Sequence, residues 1–595
     1  MITESLHENN RLIRKTILRM YPGNFLANLT INVAMMVDTL LAGALLGQEA
    51  IAAVAIGLPA IGIFQALLQA IVNGTSIKMA VHAGRGDRQK LNGTYSLGIL
   101  ATAGFGLVFT LVCLLLASVL TKLFGGAENP AVAALAALYL RACCVCVLMG
   151  SLNTLLLKIL VLYGLQKEMI TSSLIGLFGN LLFSVLYIHL LPSHLAIAGL
   201  GVGTWTGGTL ACLYSLSCIK RHGIPLKFRM QDADPSELPG IVRNGLPTTG
   251  NKLMDNVVAG IINNLIISGF GGDTTALSVY TAVCSVVSFC DTSLRSIQTS
   301  IGPLLGILYG SRDRNGIVRT VKEGFKFGLL AAFIWGILIL LALPLLAQIY
   351  GMAGNSHFRT GVIFGLLTLP LWLVIYLFTQ TFEATENAGL GLLFSSVPDS
   401  VVYPVMLALL LPVLKYHGIW ISFNCCAVPF LLALYLIRSA KYKTLRLSWD
   451  GLLCLNRSIR DNVPMLDISI KADNTDVTGI SRTVHSFLQA EGIRSRTAYM
   501  TALCLEELAA DFVEHTMRTR AAKAANTIMD IKLFSDEDSL KIIIRNAASR
   551  YNPLDFALDG ETFSKVGVKL VQKVCRKIEY TYVYRMNIVT IGIDK

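Results

Sequence analysis

The sequence predicts a polytopic α-helical membrane protein of about twelve transmembrane helices in two six-helix repeats, followed by a small cytoplasmic α/β sandwich domain. Three observations predict it. Apolar runs of about 20 residues, each long enough to cross a bilayer, recur as far as Arg438 and cease after about Asn462. Basic residues gather in alternate loops between those runs. One constant shift lays the first half of the chain on the second.

Composition sets the class. Of 595 residues, 54% are hydrophobic and 15% charged, against about 25% charged in a soluble domain. A water-soluble chain of this length needs a more polar surface. The net charge of +13 would suggest nucleic acid in a soluble protein. Here its placement reads as topology, and no nucleic-acid partner is expected. Thirteen cysteines lie mostly in apolar segments, among them Cys143, Cys144, Cys425 and Cys426, and read as packing residues in a reducing compartment. Arg11, Arg14 and Lys15 precede Ile17–Met20 with no small-residue cleavage site, so no cleavable signal is expected.

The expected spans run over 18–45, 51–80, 93–123, 131–162, 168–191 and 195–219, then 243–270, 275–308, 319–350, 357–385, 390–413 and 416–437. The odd-numbered loops are short, with Arg359 and Lys415 as their basic residues. The even loops carry Arg85, Arg88 and Lys90, then Lys167, then Lys220, Arg221, Lys227 and Arg229, then Arg312, Arg314, Arg319 and Lys322. The tenth loop departs, with Glu383 and Glu386 and no basic residue. Arg438, Lys441, Lys443 and Arg446 follow the last span. The positive-inside rule then puts both termini in the cytoplasm of a cell (inner or plasma) membrane protein. The expected divisions are 1–220, a cytoplasmic linker 221–242, 243–440, a basic linker 441–462, and a cytoplasmic domain 463–595.

The repeat is read from Ala83-Gly84-Arg85-Gly86-Asp87-Arg88, which falls on Tyr309-Gly310-Ser311-Arg312-Asp313-Arg314. The same shift brings Gly98 onto Gly324, Phe124-Gly125 onto Tyr350-Gly351, Asn129 onto Asn355 and Asp38 onto Asn264. An even helix number keeps the two halves in one orientation. Such parallel repeats suit alternating access around a central cavity.

With Met36-Val37-Asp38-Thr39, Gly74-Thr75-Ser76 and the motif at 83–88 in the first half, and Gly245-Leu246-Pro247 opening the second, residues 10–440 resemble the multidrug and toxic compound extrusion (MATE) family. The resemblance implies an antiporter that exchanges H⁺ or Na⁺ for small organic, often cationic, compounds.

Carboxylates in apolar helices carry the candidate chemistry, because a charge at mid-bilayer is costly. Asp38 can take a proton, since desolvation favours the neutral acid. The resemblance makes Asp38 part of a cation-linked site with an Asn and an Asp on the fifth helix. Here Asn180 is present and Ser184 stands at the Asp position. Asp255 and Asp399 are the ion-coupling candidates of the second half, and their oxygens suit Na⁺. Asp291 and Arg295 share a helix face as a neutralised pair. Lys158 and Glu383 are candidates for a gate or a structural pair between the halves.

In the C-terminal segment, Leu466–Lys471, Thr527–Phe534, Leu540–Arg545, Ile578–Tyr584 and Asn587–Ile593 read as strands, and Val477–Ala490 and Ala498–Thr516 as helices. The run Leu503–His515, then Ile544-Arg545-Asn546-Ala547-Ala548 and Val566-Gly567-Val568-Lys569-Leu570-Val571, resembles the ATP-binding domain shared by histidine kinases and anti-sigma-factor kinases. That resemblance implies Glu507 as a base, Asp511 as a metal ligand, Asn546 at the adenine and Gly567 at the phosphates of Mg-ATP. Asp511 and Asn546 replace the family's Asn and Asp, so turnover is not expected. The reading is a transporter, not an enzyme, with a regulatory domain that offers residues 463–595 to a cytoplasmic protein partner. The alternatives are a membrane sensor acting through that domain and a lipid-linked precursor flippase.

Overall fold

The structure, a computed structural model, describes the chain apart from residue 1 and residues 123–129, 271–274, 351, 443–451, 456–465, 472–473, 525–527, 536–537 and 555–565. Side chains of further helix residues, among them 31–37, 251–253 and 255–257, also lie outside the description.

The first half is built from α1 (Ile2–Leu41), α2 (Gln48–Arg85), α3 (Arg88–Thr121), α4 (Pro130–Leu162), α5 (Gln166–Leu190) and α6 (Ala196–Arg221). The second is built from α7 (Leu238–Gly269), α8 (Thr275–Gly310), α9 (Arg314–Ile349), α10 (Ser356–Ala384), α11 (Ala388–Val397), α12 (Tyr403–Leu414), α13 (Tyr416–Cys425) and α14 (Ala427–Tyr442). A π-helical turn, Pro398–Val402, joins α11 to α12. Pro398 cannot donate to the helix ladder, which accounts for the break. Among the described residues, nine helices are long and apolar enough to cross a membrane, making this a multi-pass membrane protein. The stretches at 18–45, 243–270 and 275–308 fall in α1, α7 and α8, outside those nine.

The repeated motif has a local cause. Gly86 ends α2 in the left-handed conformation, φ 76°. Asp87 then caps α3, its carboxylate accepting from the Lys90 amide at 3.0 Å. In the second half Arg312 takes the left-handed position, φ 58°, and Asp313 caps α9 through the Gly316 amide at 2.8 Å. The motif is a helix stop followed at once by a helix start.

The two halves meet along α2, which packs on α7 and α8. A Cβ on Gly84 would lie 2.0 Å from the Ile307 carbonyl oxygen, and one on Gly310 2.0 Å from that of Val81. Glycine is required here because backbones touch. Alongside, α1 and α8 share a ladder of side-chain hydrogen bonds: Tyr21 with Ser293 at 2.6 Å, Asn28 donating to Ser296 at 2.9 Å, and Asn24 donating to Ser300 at 2.8 Å.

The C-terminal domain has an antiparallel sheet of β1 (Leu466–Lys471), β2 (Ile528–Ser535), β3 (Ser539–Asn546), β4 (Lys577–Val583) and β5 (Met586–Asp594), in the order β1-β2-β3-β5-β4. Three helices, α15 (Asn474–Ala490), α16 (Ser495–Ala524) and α17 (Val566–Val574), cover one face. Ile531, Ile542, Ile544 and Ile591 point at them, into a core with Val484, Leu508 and Phe512. The alternate residues Phe534, Ile543, Met586 and Ile588 join the core of the helix bundle instead. The sheet is thus buried on both faces, which explains the unbroken Ile542-Ile543-Ile544 run.

The polar residues of that second face form a buried charge cluster with the bundle. Lys532 Nζ and Arg545 Nη1 reach the Asp313 carboxylate at 2.9 and 2.6 Å, and Arg545 also donates to the Ser311 hydroxyl at 2.8 Å. Asp467 accepts from Lys532 at 3.4 Å and faces Arg319 at 3.4 Å. Burial alone would raise Asp313, but the Lys532 and Arg545 charges outweigh it and hold its carboxyl well below the usual range. Asp530 shows the opposite balance: burial dominates and pushes it up to about 6.

Candidate functional site

Asp38 lies buried on α1, where α4, α5 and α6 converge. The Tyr139 hydroxyl of α4 donates to its Oδ2 at 3.0 Å. The Asn180 amide of α5 donates to its Oδ1 at 3.3 Å. The Thr204 hydroxyl of α6 sits 3.2 Å from both carboxylate oxygens. Ser184 completes the group by donating to Asn180 Oδ1 at 2.9 Å. None of these partners carries a positive charge.

Thr204 is the shared donor of the group: its hydroxyl lies within 3.2 Å of Asp38 Oδ1, Asp38 Oδ2 and Asn180 Oδ1, and 2.9 Å from the Leu200 carbonyl. Asn180, Tyr139 and Ser184 supply a further donor to each of these oxygens. The described partners therefore satisfy the hydrogen bonds of a buried carboxylate but offer it no counter-charge. An added proton, or a small hard cation that prefers oxygen ligands, is what such a donor set lacks.

Local sequence explains why these side chains meet. Asn180 and Ser184 are one helical turn apart on α5 and share a face. Gly199, Gly203 and Gly207 recur every fourth residue on α6 and let α5 approach. A Cβ on Gly203 would lie 2.2 Å from the Ser184 hydroxyl, and one on Gly207 2.4 Å from the Asn180 backbone nitrogen. Gly57 of α2 similarly leaves space for the Tyr139 ring, whose Cδ1 would be 2.8 Å from an added Cβ. Sequence reasoning missed Tyr139 and Thr204. The signal that points to Thr204 is the Gly-x-x-x-Gly spacing that brackets it.

The other candidates lie elsewhere. Asp255 is on α7, with its side chain outside the described residues. Asp399 lies in the π-helical turn. Arg295 pairs with Asp291 at 2.6 Å and stacks over the Tyr376 ring, 4.6 Å from its centroid, while the Tyr376 hydroxyl donates to Asp291. Lys158 is near the end of α4, and Glu383 is buried on α10 beside Gln380, which donates to it at 3.4 Å. A neighbouring acid links the halves: Glu386 pairs with Lys78 of α2 at 2.9 Å and faces Arg85 at 3.9 Å.

In the C-terminal domain the positions proposed for a nucleotide are engaged internally. The Tyr551 hydroxyl donates to Asp511 at 2.7 Å, and His515 stacks on the Tyr551 ring at 3.8 Å. Asn546 Oδ1 accepts from the Asn587 amide at 2.8 Å and from the Ala548 backbone at 3.3 Å. Glu507 is half-buried on α16, and Gly567 is in the first turn of α17. The metal-ligand position is thus bonded to Tyr551 and the adenine position to Asn587.

Comparison with known proteins bears on the helical part. Residues 24–204 match the MatE family model. No curated protein matches the chain. Among solved structures, a MATE protein in complex with MaD3S is similar with a TM-score of 0.65 and 18% identity over 73% of this chain and 98% of that one. An outward-facing multidrug resistance MATE family transporter of the MOP superfamily gives 0.63 and 18% over the same shares. A MOP superfamily transporter from Pyrococcus furiosus, described as having a binding pocket of reversed polarity, gives 0.61 and 19%, covering 73% of this chain and 97% of that one. Identities this low establish the fold. Residues 24–204, which hold Asp38 and its partners, thus match the MatE family model within a helical fold shared with MATE transporters.

Proposed function

We propose that this chain is a secondary active exporter of the MATE type, coupling inward movement of H⁺ or Na⁺ at Asp38 to efflux of small organic, mainly cationic, compounds. The observation that carries the reading is a buried Asp38 carboxylate whose described partners are all neutral donors. A carboxylate buried among neutral donors is satisfied only when it gains a proton or a cation. Protonated Asp38 would donate to Asn180 Oδ1 or Thr204 and carry no uncompensated charge. Deprotonated, it would leave a negative charge that attracts the next ion or a cationic substrate. Occupation of the site then favours one packing of α1 against α4–α6 over another, which biases the side to which the halves open. The basic loops put the C-terminal domain in the cytoplasm, where it regulates the exporter.

The test is transport by purified protein in liposomes, with a fluorescent organic cation and a proton or sodium gradient imposed separately. Movement driven by one gradient and lost in Asp38→Asn establishes antiport and names the ion. No movement under either gradient, across several cations, counts against the reading.

A further inference from the structure

The tip of the β4–β5 hairpin is where the C-terminal domain touches both halves at once. Tyr584 and Arg585 form its two-residue turn, and both are left-handed, with φ 54° and 56°. Such turns normally use Asn and Gly, because the Cβ of a bulkier residue crowds the backbone there. Strain held at a specific place points to a role for the side chains. Tyr584 is fully buried. Its backbone N–H donates to the Leu162 carbonyl at the end of α4, in the first half, at 2.5 Å. Its hydroxyl donates to the Ser300 carbonyl on α8, in the second half. Arg585 Nε donates to the Gly164 carbonyl. Ser300 is also a rung of the α1/α8 ladder, accepting from Asn24.

The same sheet is tied to both halves on either side of this tip. Arg88 of α3 donates to the Tyr580 carbonyl at 2.6 and 3.1 Å, and Arg550 to the His222 and Gly223 carbonyls after α6 at 3.2 and 2.9 Å. Toward the second half, Lys532 and Arg545 hold Asp313.

We propose that the Tyr584–Arg585 tip is a plug that locks the cytoplasmic ends of the two halves together, so that the C-terminal domain is autoinhibitory. Rocking transport requires α1 and α2 to part from α8 on this side. One residue bonded to Leu162 and Ser300 cannot follow both, and a hydrogen-bonded sheet does not stretch. The tip must withdraw before the cytoplasmic mouth opens. The proposal rests on the transport reading for its consequence, but the lock itself can be measured without transport.

The test is hydrogen exchange of the full chain in nanodiscs, read on peptides covering residues 20–30 and 293–303 of the α1/α8 seam. Tyr584→Ala should raise exchange there by about tenfold, a local opening made more frequent. Arg585→Gly, which relieves the turn strain yet loses the Gly164 bond, should raise it about threefold. Unchanged exchange in residues 528–546 certifies that the sheet stays folded. Seam exchange equal to wild type in both variants, with the sheet intact, overturns the plug whatever transport shows. Dye efflux in liposomes should rise with seam exchange. Raised exchange with no gradient-driven efflux in any variant would leave the plug standing and remove the transport reading.

Discussion

Asp87 and Asp313 occupy the same place in the two halves and cap equivalent helices, yet only Asp313 also holds Lys532 and Arg545. A single motif has been kept as a cap in one half and recruited as a docking anchor in the other. Asp313 and Lys532 are 0% and 1% exposed, so neither charge has water to fall back on.

Asp313→Asn should therefore be far more damaging than Asp87→Asn. Asn still caps, so Asp87→Asn should change stability by less than about 0.5 kcal/mol. Asp313→Asn leaves two buried cations short of their counter-charge and should cost about 3–5 kcal/mol. Thermal unfolding of the two variants side by side, with limited proteolysis between residues 442 and 466 as a reading of domain release, checks this.

The Asp38 cage makes a graded prediction. Tyr139→Phe and Thr204→Val each remove one donor from a buried carboxylate and should slow ion-driven efflux by about 10-fold, as expected for about 1–3 kcal/mol. Asp38→Asn should abolish coupling while the protein still folds. Full rates in both single variants would show that the hydroxyls are packing residues.

Helix approach at the same site is tested at Gly203. A Cβ there would lie 2.2 Å from the Ser184 hydroxyl and 2.3 Å from its amide nitrogen. Gly203→Ala should push α5 from α6, cost about 1–3 kcal/mol and lower transport. Gly62 meets nothing within 4 Å of an added Cβ, so Gly62→Ala is the control expected to be silent in thermal scans.

Asp530 gives a pH dependence with a defined sign. Its folded value is raised from 3.8 to about 6 by burial, opposed by Lys532 and Arg545 and aided by Asp467 and Asp313. The folded state then holds this proton more tightly than the unfolded chain. Stability from this group is greatest at the acid end, falls as pH rises from 3.8 to about 6, and levels off above that. Asp313, held low, titrates below this window. Thermal scans between pH 4.5 and 7.5 should show a decline of about 1–3 kcal/mol, abolished in Asp530→Asn.

The sequence by itself determined the apolar runs and the strands, because each depends on neighbours a few positions away: hydropathy over one bilayer crossing, period two in a strand. It also pointed to Asp38, since a carboxylate in an apolar run stands out, and the family resemblance pointed to Asn180 and Ser184 as its partners. Tyr139 and Thr204 were not legible, because a Tyr or Thr in a membrane helix is common and only the α4 and α6 packing aims them at Asp38. Nor could the sequence show that Tyr551 bonds Asp511, that Lys532 reaches Asp313, or that a hairpin tip lodges between α4 and α8. Those relations join residues tens to hundreds of positions apart, and local propensity carries no information about which distant partner a buried polar group will find. Tertiary packing decided them, because burial forces each charge and hydroxyl to satisfy itself with whatever the fold has brought within reach.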